Sequence, residues 1–84
     1  MDSPAAQEPT NASGVAVDGA EVRRRRELRG LGRTELAAKC DITPGYLSHI
    51  EKGRRRPSPP VFARICDALD VLDRRELLAE RVAS

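Results

Sequence analysis

The sequence predicts an all-α fold in which five short helices follow a disordered N-terminal tail. Apolar residues recur at spacings of three and four, and residues that start and stop helices separate these segments. No stretch alternates apolar and polar residues for long enough to indicate a strand. The chain has 84 residues, which suffices for one compact domain.

The predicted tail covers residues 1–19. This stretch combines Pro, Ser, Ala, Gly and acidic residues with almost no large apolar side chains. It cannot bury enough surface to offset the entropy of ordering the chain. The sequence therefore divides into a tail, residues 1–19, and one folded domain, residues 20–84.

The first two helices are predicted over residues 20–29 and 33–40. Straight-chain helix formers fill the first, and Gly30 is suited to the left-handed conformation at its end. The second places Leu36, Ala37 and Cys40 on one face. These apolar positions are expected to face the core.

The third helix has the clearest boundaries. Thr43 is a good N-cap, and Pro44 follows at the first helical position, where its missing N–H is not needed. Leu47 and Ile50 are then expected to face the core, and Gly53 to close the helix. The predicted helix runs from Pro44 to about residue 52.

Two further helices are predicted in the last third of the chain. Ser58 caps the fourth and Pro59 follows it, ahead of a broad apolar stripe between residues 61 and 69. Asp73, with Glu76 three residues later, resembles a capping box that opens the fifth. The apolar residues expected on that helix are Leu77, Leu78 and Val82.

Charge is unevenly distributed along the chain, although the net charge is only +2. Residues 23–56 hold eleven basic and four acidic side chains, whereas residues 1–22 hold four acidic side chains and no basic one. A basic segment of this kind is typical of a nucleic-acid-binding surface, because phosphate neutralisation supplies much of the affinity. The alternative is a solvated face that serves only solubility.

Several classes of protein are not favoured by the sequence. It has no apolar run of the roughly 20 residues needed to cross a bilayer and no signal-peptide pattern, so we expect a cytoplasmic protein without membrane contact. Cys40 and Cys66 form no CxxC or Cys/His group, which predicts buried, reduced thiols and neither a metal nor a cofactor. The single histidine, His49, has no catalytic constellation around it, so no enzyme is predicted.

The second and third helices are joined only by Asp41 and Ile42, the arrangement of a helix-turn-helix whose second helix enters the DNA major groove. Residues 22–71 also resemble the Cro and lambda-repressor type helix-turn-helix family. The matching motifs include Gly30-Leu31, Glu35-Leu36-Ala37, Ile42-Thr43, Tyr46-Leu47-Ser48, Ile50-Glu51, Gly53 and Pro57-Ser58. This resemblance implies a lambda-repressor-like DNA-binding domain.

The resemblance implies that the first exposed residues of the third helix read bases. Those positions are Pro44, Gly45, Ser48 and His49. Pro44 and Gly45 carry no side-chain donor, so direct readout rests on His49 and Ser48, with Tyr46 as a further candidate. The alternative for Tyr46 is that its ring packs against helix two with its hydroxyl in water.

A second group of residues is predicted to contact the DNA backbone. Arg33 occupies a position where the family commonly has a phosphate-binding glutamine, and Thr43 combines N-capping with a place at a helix N-terminus that favours anions. Arg54, Arg55 and Arg56 follow the third helix in a loop suited to phosphate contact. The resemblance assigns Arg26 and Glu51 a bridging role between helices one and three.

The leading hypothesis is a sequence-specific transcriptional regulator of double-stranded DNA, a repressor that binds an inverted repeat as a homodimer. The alternative is a protein-interaction module, such as an antitoxin or anti-regulator, on the same fold. Its contact surfaces would be the acidic tail and the apolar face of helix five.

Overall fold

The computed structural model describes residues 14–79, which form four α-helices and one final turn of 3-10 helix. The helices are α1 (Gly19–Leu28), α2 (Arg33–Lys39), α3 (Pro44–Glu51) and α4 (Pro59–Ala68), and the 3-10 turn is Arg74–Leu77. The described residues contain no strand beyond one isolated bridge between Val17 and Leu78. The all-α prediction is confirmed, and the four helices begin and end close to their predicted limits.

Three of the four helices begin with a side-chain N-cap. Oxygen atoms of Asp18, Thr43 and Ser58 accept hydrogen bonds from the backbone N–H three residues later, at 3.1, 3.0 and 3.4 Å. The N-cap of helix α2 is Gly32, which has no side chain to offer. There Glu35 Oε1 reaches back and accepts from the Gly32 N–H at 2.7 Å, which is one half of a capping box.

All four helices end with the same backbone turn, a Schellman motif. The residue after each C-cap has positive φ: Gly30 (72°), Asp41 (59°), Gly53 (78°) and Asp70 (56°). The next N–H then bonds to a carbonyl five residues earlier, in the pairs Leu31 to Arg26 (3.1 Å), Ile42 to Ala37 (3.0 Å), Arg54 to His49 (2.8 Å) and Val71 to Cys66 (2.9 Å). These turns satisfy helix carbonyls and set the direction in which the chain continues.

The core lies between the four helices and is closed by the 3-10 turn. Its largest fully buried aliphatic residues are Val22, Leu36, Leu47, Ile50, Ile65 and Leu77. Helix α3 packs against α1 and α2, and α4 packs against α2 and the 3-10 turn. Packing on one side of α3 leaves its other side at the surface.

A fifth α-helix is not confirmed, because the described residues form only a 3-10 turn at its predicted start. Asp73 caps only the 3-10 turn, and Leu77 is buried in the core and not on an exposed helix face. The Ala79 N–H donates to the Ala16 carbonyl at 2.9 Å, and the Asp18 N–H donates to the Leu77 carbonyl at 2.7 Å. This antiparallel pairing engages the backbone that a helix would need. Val82 lies outside the described residues.

The boundary of the predicted tail also differs from the structure. Residues 14–19, which the sequence assigns to the tail, pack on the domain: the Val15 N–H donates to the Pro57 carbonyl at 2.8 Å. Gly19 starts α1 so close to the carbonyls of Ile50 and Glu51 that a Cβ would clash with them. Composition does not reveal these contacts because backbone atoms make them. Residues 1–13 lie outside the described residues.

Candidate nucleic-acid interface

Helix α3 presents a buried face and an exposed face. Leu47 and Ile50 are completely buried, and Glu51 at the end of the helix is also buried. The predicted contact residues lie on the other side: Thr43, Pro44, Gly45 and His49 are exposed, and Ser48 is partly exposed. A Cβ at Gly45 would meet no atom within 4 Å, so the helix surface is open at that point.

The turn between α2 and α3 holds the two helices at a defined angle. Asp41 takes the left-handed conformation, and the Ile42 N–H closes the turn on the Ala37 carbonyl at 3.0 Å. Ile42 then packs against the core, and Thr43 Oγ1 accepts from the Tyr46 N–H to start α3. The N-capping role predicted for Thr43 is therefore confirmed.

Tyr46 connects α3 to the loop that follows it. Its ring packs against the core, and its hydroxyl donates to the Arg56 carbonyl at 3.4 Å. The Arg55 guanidinium lies over the ring, 5.4 Å from its centroid. The sequence did not predict this connection, since a contact between positions 46 and 55 depends on the path of the turn at Gly53.

The arginine loop, which we define as Arg54, Arg55 and Arg56, projects from the end of α3. All three residues are exposed. The backbone N–H groups of Arg54 and Arg55 both donate to the His49 carbonyl, at 2.8 and 3.3 Å. Neither Arg54 nor Arg55 forms an ion pair with an acidic side chain in the described part of the chain.

Unlike Arg54 and Arg55, the arginines of α1 and of the turn after it are each paired with an acidic side chain. The pairs are Arg23–Glu27 (3.0 Å), Arg24–Glu21 (2.8 Å), Arg25–Glu21 (2.8 Å), Arg25–Glu76 (2.9 Å), Arg26–Glu51 (2.7 Å) and Arg29–Asp70 (2.9 Å). Hydrogen bonds from Arg24 and then Arg25 lower the pKa of the Glu21 carboxyl to about 2. The arginines of α1 therefore differ from Arg54 and Arg55, which have no acidic partner among the described residues.

Glu51, at the end of α3, links this helix to α1. Its carboxylate accepts from Arg26 Nε at 2.7 Å and from Arg26 Nη2 at 3.2 Å, and both side chains are buried. Arg26 Nη1 also donates to the Leu31 carbonyl at 3.0 Å. The bridge predicted between helices one and three is confirmed.

Arg33, at the start of α2, lies on the outer side of this bridge. Its Nε is 3.5 Å from Glu51 Oε1 but has no hydrogen-bond partner among the described residues, and its side chain is 41% exposed. The guanidinium thus remains partly accessible beside α3.

The two cysteines contribute to the core and not to the interface. Cys40 and Cys66 are free and completely buried, as predicted, and burial raises the pKa of both thiols. No group of three or more His, Cys, Asp or Glu side chains suited to a metal ion occurs within residues 14–79. In the same range no helix has the length and apolar character needed to span a membrane.

Comparison with known proteins agrees with this geometry. Residues 19–80 match the profile of the helix-turn-helix domain family. The chain belongs to this family. Its solved structural neighbours include the regulators ClgR and SinR, and the resemblance to the Cro and lambda-repressor type is confirmed.

Relatives of this helix-turn-helix domain include mycobacterial and corynebacterial regulators. An uncharacterized HTH-type transcriptional regulator of Mycobacterium tuberculosis is 40% identical over 53 residues, covering 63% of this chain and 38% of the relative. The crystal structure of the clp gene regulator ClgR from Corynebacterium glutamicum has a TM-score of 0.61 and 36% identity, covering 75% of this chain and 64% of that one. The chain spans less than half the length of the curated relatives it matches.

SinR, described as a master regulator for biofilm formation, is a further structural relative. Its complex with DNA superposes with a TM-score of 0.59 and 31% identity, covering 63% of this chain and 86% of that one. A complex of SinR with the SinI protein superposes with a TM-score of 0.68 and 31% identity, covering 75% and 61%. Neighbours of this fold have thus been solved with DNA and with a protein partner.

Proposed function

We propose that this domain is a sequence-specific transcriptional regulator that binds double-stranded DNA with α3 in the major groove. One observation carries the proposal. Helix α3 is anchored in the core by its buried side, so that its other side is exposed, and the arginine loop lies next to that exposed side. The relatives that are transcriptional regulators, and the SinR complex with DNA, support it. We place this activity in the cytoplasm.

Base recognition falls to the exposed positions near the start of α3. His49 offers a hydrogen-bond donor and an acceptor, and Ser48 offers a hydroxyl, so both suit base edges in the major groove. Pro44 can contact a thymine methyl group, while the open surface at Gly45 lets the backbone approach DNA closely. With so few donors, DNA shape and deformability contribute part of the specificity.

Recognition of the DNA sugar-phosphate backbone falls to residues around the base-reading face. Thr43 lies at the N-terminus of α3, where backbone N–H groups and the helix dipole favour a phosphate. Arg33, Arg54, Arg55 and Arg56 supply positive charge. These contacts set affinity and orientation and do not depend on sequence.

We further propose that the protein acts as a repressor and binds an inverted repeat as a homodimer, because this module usually matches its two-fold symmetry to paired half-sites. The apolar face predicted for helix five does not supply this dimer contact through Leu77, because Leu77 belongs to the core. Sedimentation with duplexes that carry one or two half-sites tests the homodimer, since it measures how many copies of the chain bind each duplex and with what affinity. Equal affinity per half-site on both duplexes would contradict a DNA-supported dimer.

A second candidate function is a protein-interaction module that docks a partner protein, with DNA binding secondary. The SinR complex with SinI favours keeping this candidate, because it is a neighbour of the same fold bound to a protein. Affinity purification from the native host distinguishes the two: a stoichiometric protein partner in the absence of DNA enrichment would favour the module.

Selection from a random duplex library tests the regulator proposal. The purified chain is expected to enrich a shared motif, and a variant with Arg54, Arg55 and Arg56 changed to Gln is the matched control that should lose enrichment. Absence of any enriched motif with the folded wild-type chain would overturn sequence-specific binding.

A further inference from the structure

We propose that Tyr46 is a positioning residue for the arginine loop and not a base reader. It holds the Arg55 guanidinium against its ring and the Arg56 carbonyl against its hydroxyl, so that the loop meets the DNA backbone already ordered. The inference rests on the proposed DNA binding. It assigns to Tyr46 a role that motif matching leaves open.

The contacts that Tyr46 makes within the domain compete with a contact to a base. The Tyr46 side chain packs against the core, and the Arg55 guanidinium lies 5.4 Å from the ring centroid. The hydroxyl donates to the Arg56 carbonyl at 3.4 Å. Since a phenol has one O–H donor, a base acceptor would have to displace this contact.

The loop backbone is held at three other points. The Arg54 and Arg55 N–H groups donate to the His49 carbonyl at the end of α3. On the far side, the Val15 N–H donates to the carbonyl of the buried Pro57 at 2.8 Å. With the backbone constrained on both sides, the main freedom left in the loop is in its long side chains, and the Tyr46 ring restricts that of Arg55.

Ordering Arg55 before binding reduces the entropy cost of its contact with a phosphate. An exposed cation–π contact of this kind corresponds to about a two- to fivefold change in an equilibrium constant. Phosphates are the same in every sequence, so the effect must be equal on specific and random DNA. A base reader would act on the specific site alone.

The experiment is a mutant cycle measured by fluorescence anisotropy with the full chain, using the selected site and a random duplex at fixed salt. Tyr46→Leu is expected to weaken binding to both duplexes about two- to fivefold, and the ring contribution should vanish when Arg55 is also changed to Gln. Tyr46→Phe keeps the ring and should retain most of the affinity. Arg54→Gln is the matched control, because it removes the same charge from the same loop and should leave the Tyr46 effect unchanged.

Two results of the mutant cycle would overturn the inference: a Tyr46→Leu loss confined to the specific site, or an equal loss in the Arg55→Gln background. NMR of the free protein provides a readout without DNA, since the ring should shift the Arg55 side-chain protons upfield and Tyr46→Phe should preserve that shift. Absence of the shift in the wild type would refute the inference even if Tyr46→Leu failed to fold. If the wild-type chain shows this upfield shift but binds no duplex, the proposed function is refuted instead.

Discussion

The Arg26 guanidinium and the Glu51 carboxylate meet inside the domain, with Arg26 Nε 2.7 Å from Glu51 Oε2, although 25 positions separate them in the chain. Their side chains are only 7% and 3% exposed. The contact fixes α1 against the end of α3. A buried pair of this kind contributes little net stability because desolvation offsets its attraction, but removal of one partner leaves an uncompensated charge.

Glu51→Ala is therefore expected to lower the free energy of unfolding by about 3–5 kcal/mol, since it strands the buried Arg26. Urea denaturation followed by circular dichroism measures this change. Glu27→Ala is the control: it breaks the exposed Arg23–Glu27 pair, with side chains 60% and 54% exposed, and should cost less than about 1 kcal/mol. Similar losses in the two variants would contradict a special role for the buried pair.

The second prediction concerns which arginines contact DNA phosphates. Changing Arg54, Arg55 and Arg56 to Gln should weaken binding to all duplexes and reduce the salt slope by about 0.9 for each phosphate that is no longer neutralised. Changing Arg23, Arg24 and Arg29 to Gln removes the same charge from acid-paired positions and should have a much smaller effect. Titrations at several salt concentrations measure both, and equal effects would show that net charge alone determines binding.

His49 carries the prediction for base recognition. It lies on the exposed side of α3, between the buried residues Leu47 and Ile50. His49→Ala is expected to cost about 1–3 kcal/mol on the selected site and less on random DNA. Lys52→Ala, at the end of the same helix, is the control and should affect both duplexes alike. Equal losses for His49→Ala on the two duplexes would reassign His49 to the DNA backbone.

The left-handed turn between α2 and α3 can be stabilised. Asp41 has φ of 59°, a conformation that glycine adopts without steric cost, so Asp41→Gly is expected to raise the free energy of unfolding by up to about 1 kcal/mol. Asp70→Gly should gain less, because Asp70 also pairs with Arg29 at 2.9 Å. Thermal unfolding measures both variants. Destabilisation by Asp41→Gly would indicate that its side chain contributes more than its backbone costs.

The two thiols should report unfolding. Cys40 and Cys66 are completely buried and burial raises the pKa of each, so both access and thiolate formation are suppressed in the native protein. Labelling by an aromatic disulfide reagent at neutral pH is expected to require unfolding and to accelerate in Glu51→Ala. Rapid labelling of one thiol in the folded wild type would show a local opening.

Helix boundaries could be predicted from sequence because the determining residues are local. Thr43 and Ser58 cap helices through hydrogen bonds to residues three positions later, and Gly30 and Gly53 provide the positive φ that ends them. The exposed face of α3 followed for the same reason, since helical spacing alone separates His49 from its buried neighbours. The sequence by itself thus determined the all-α class, the helix-turn-helix and the positions expected to face DNA.

Contacts between distant segments decided the rest. Residues 16–18 pair with residues 77–79 through backbone atoms, where the sequence predicts the end of a tail and a helix. Leu77 is buried in this region. Tertiary structure also paired Arg25 with Glu76 and Arg29 with Asp70, and it brought Tyr46 to Arg55. Composition and periodicity describe the preferences of single segments, whereas ion pairs and backbone pairing depend on which segments the fold brings together.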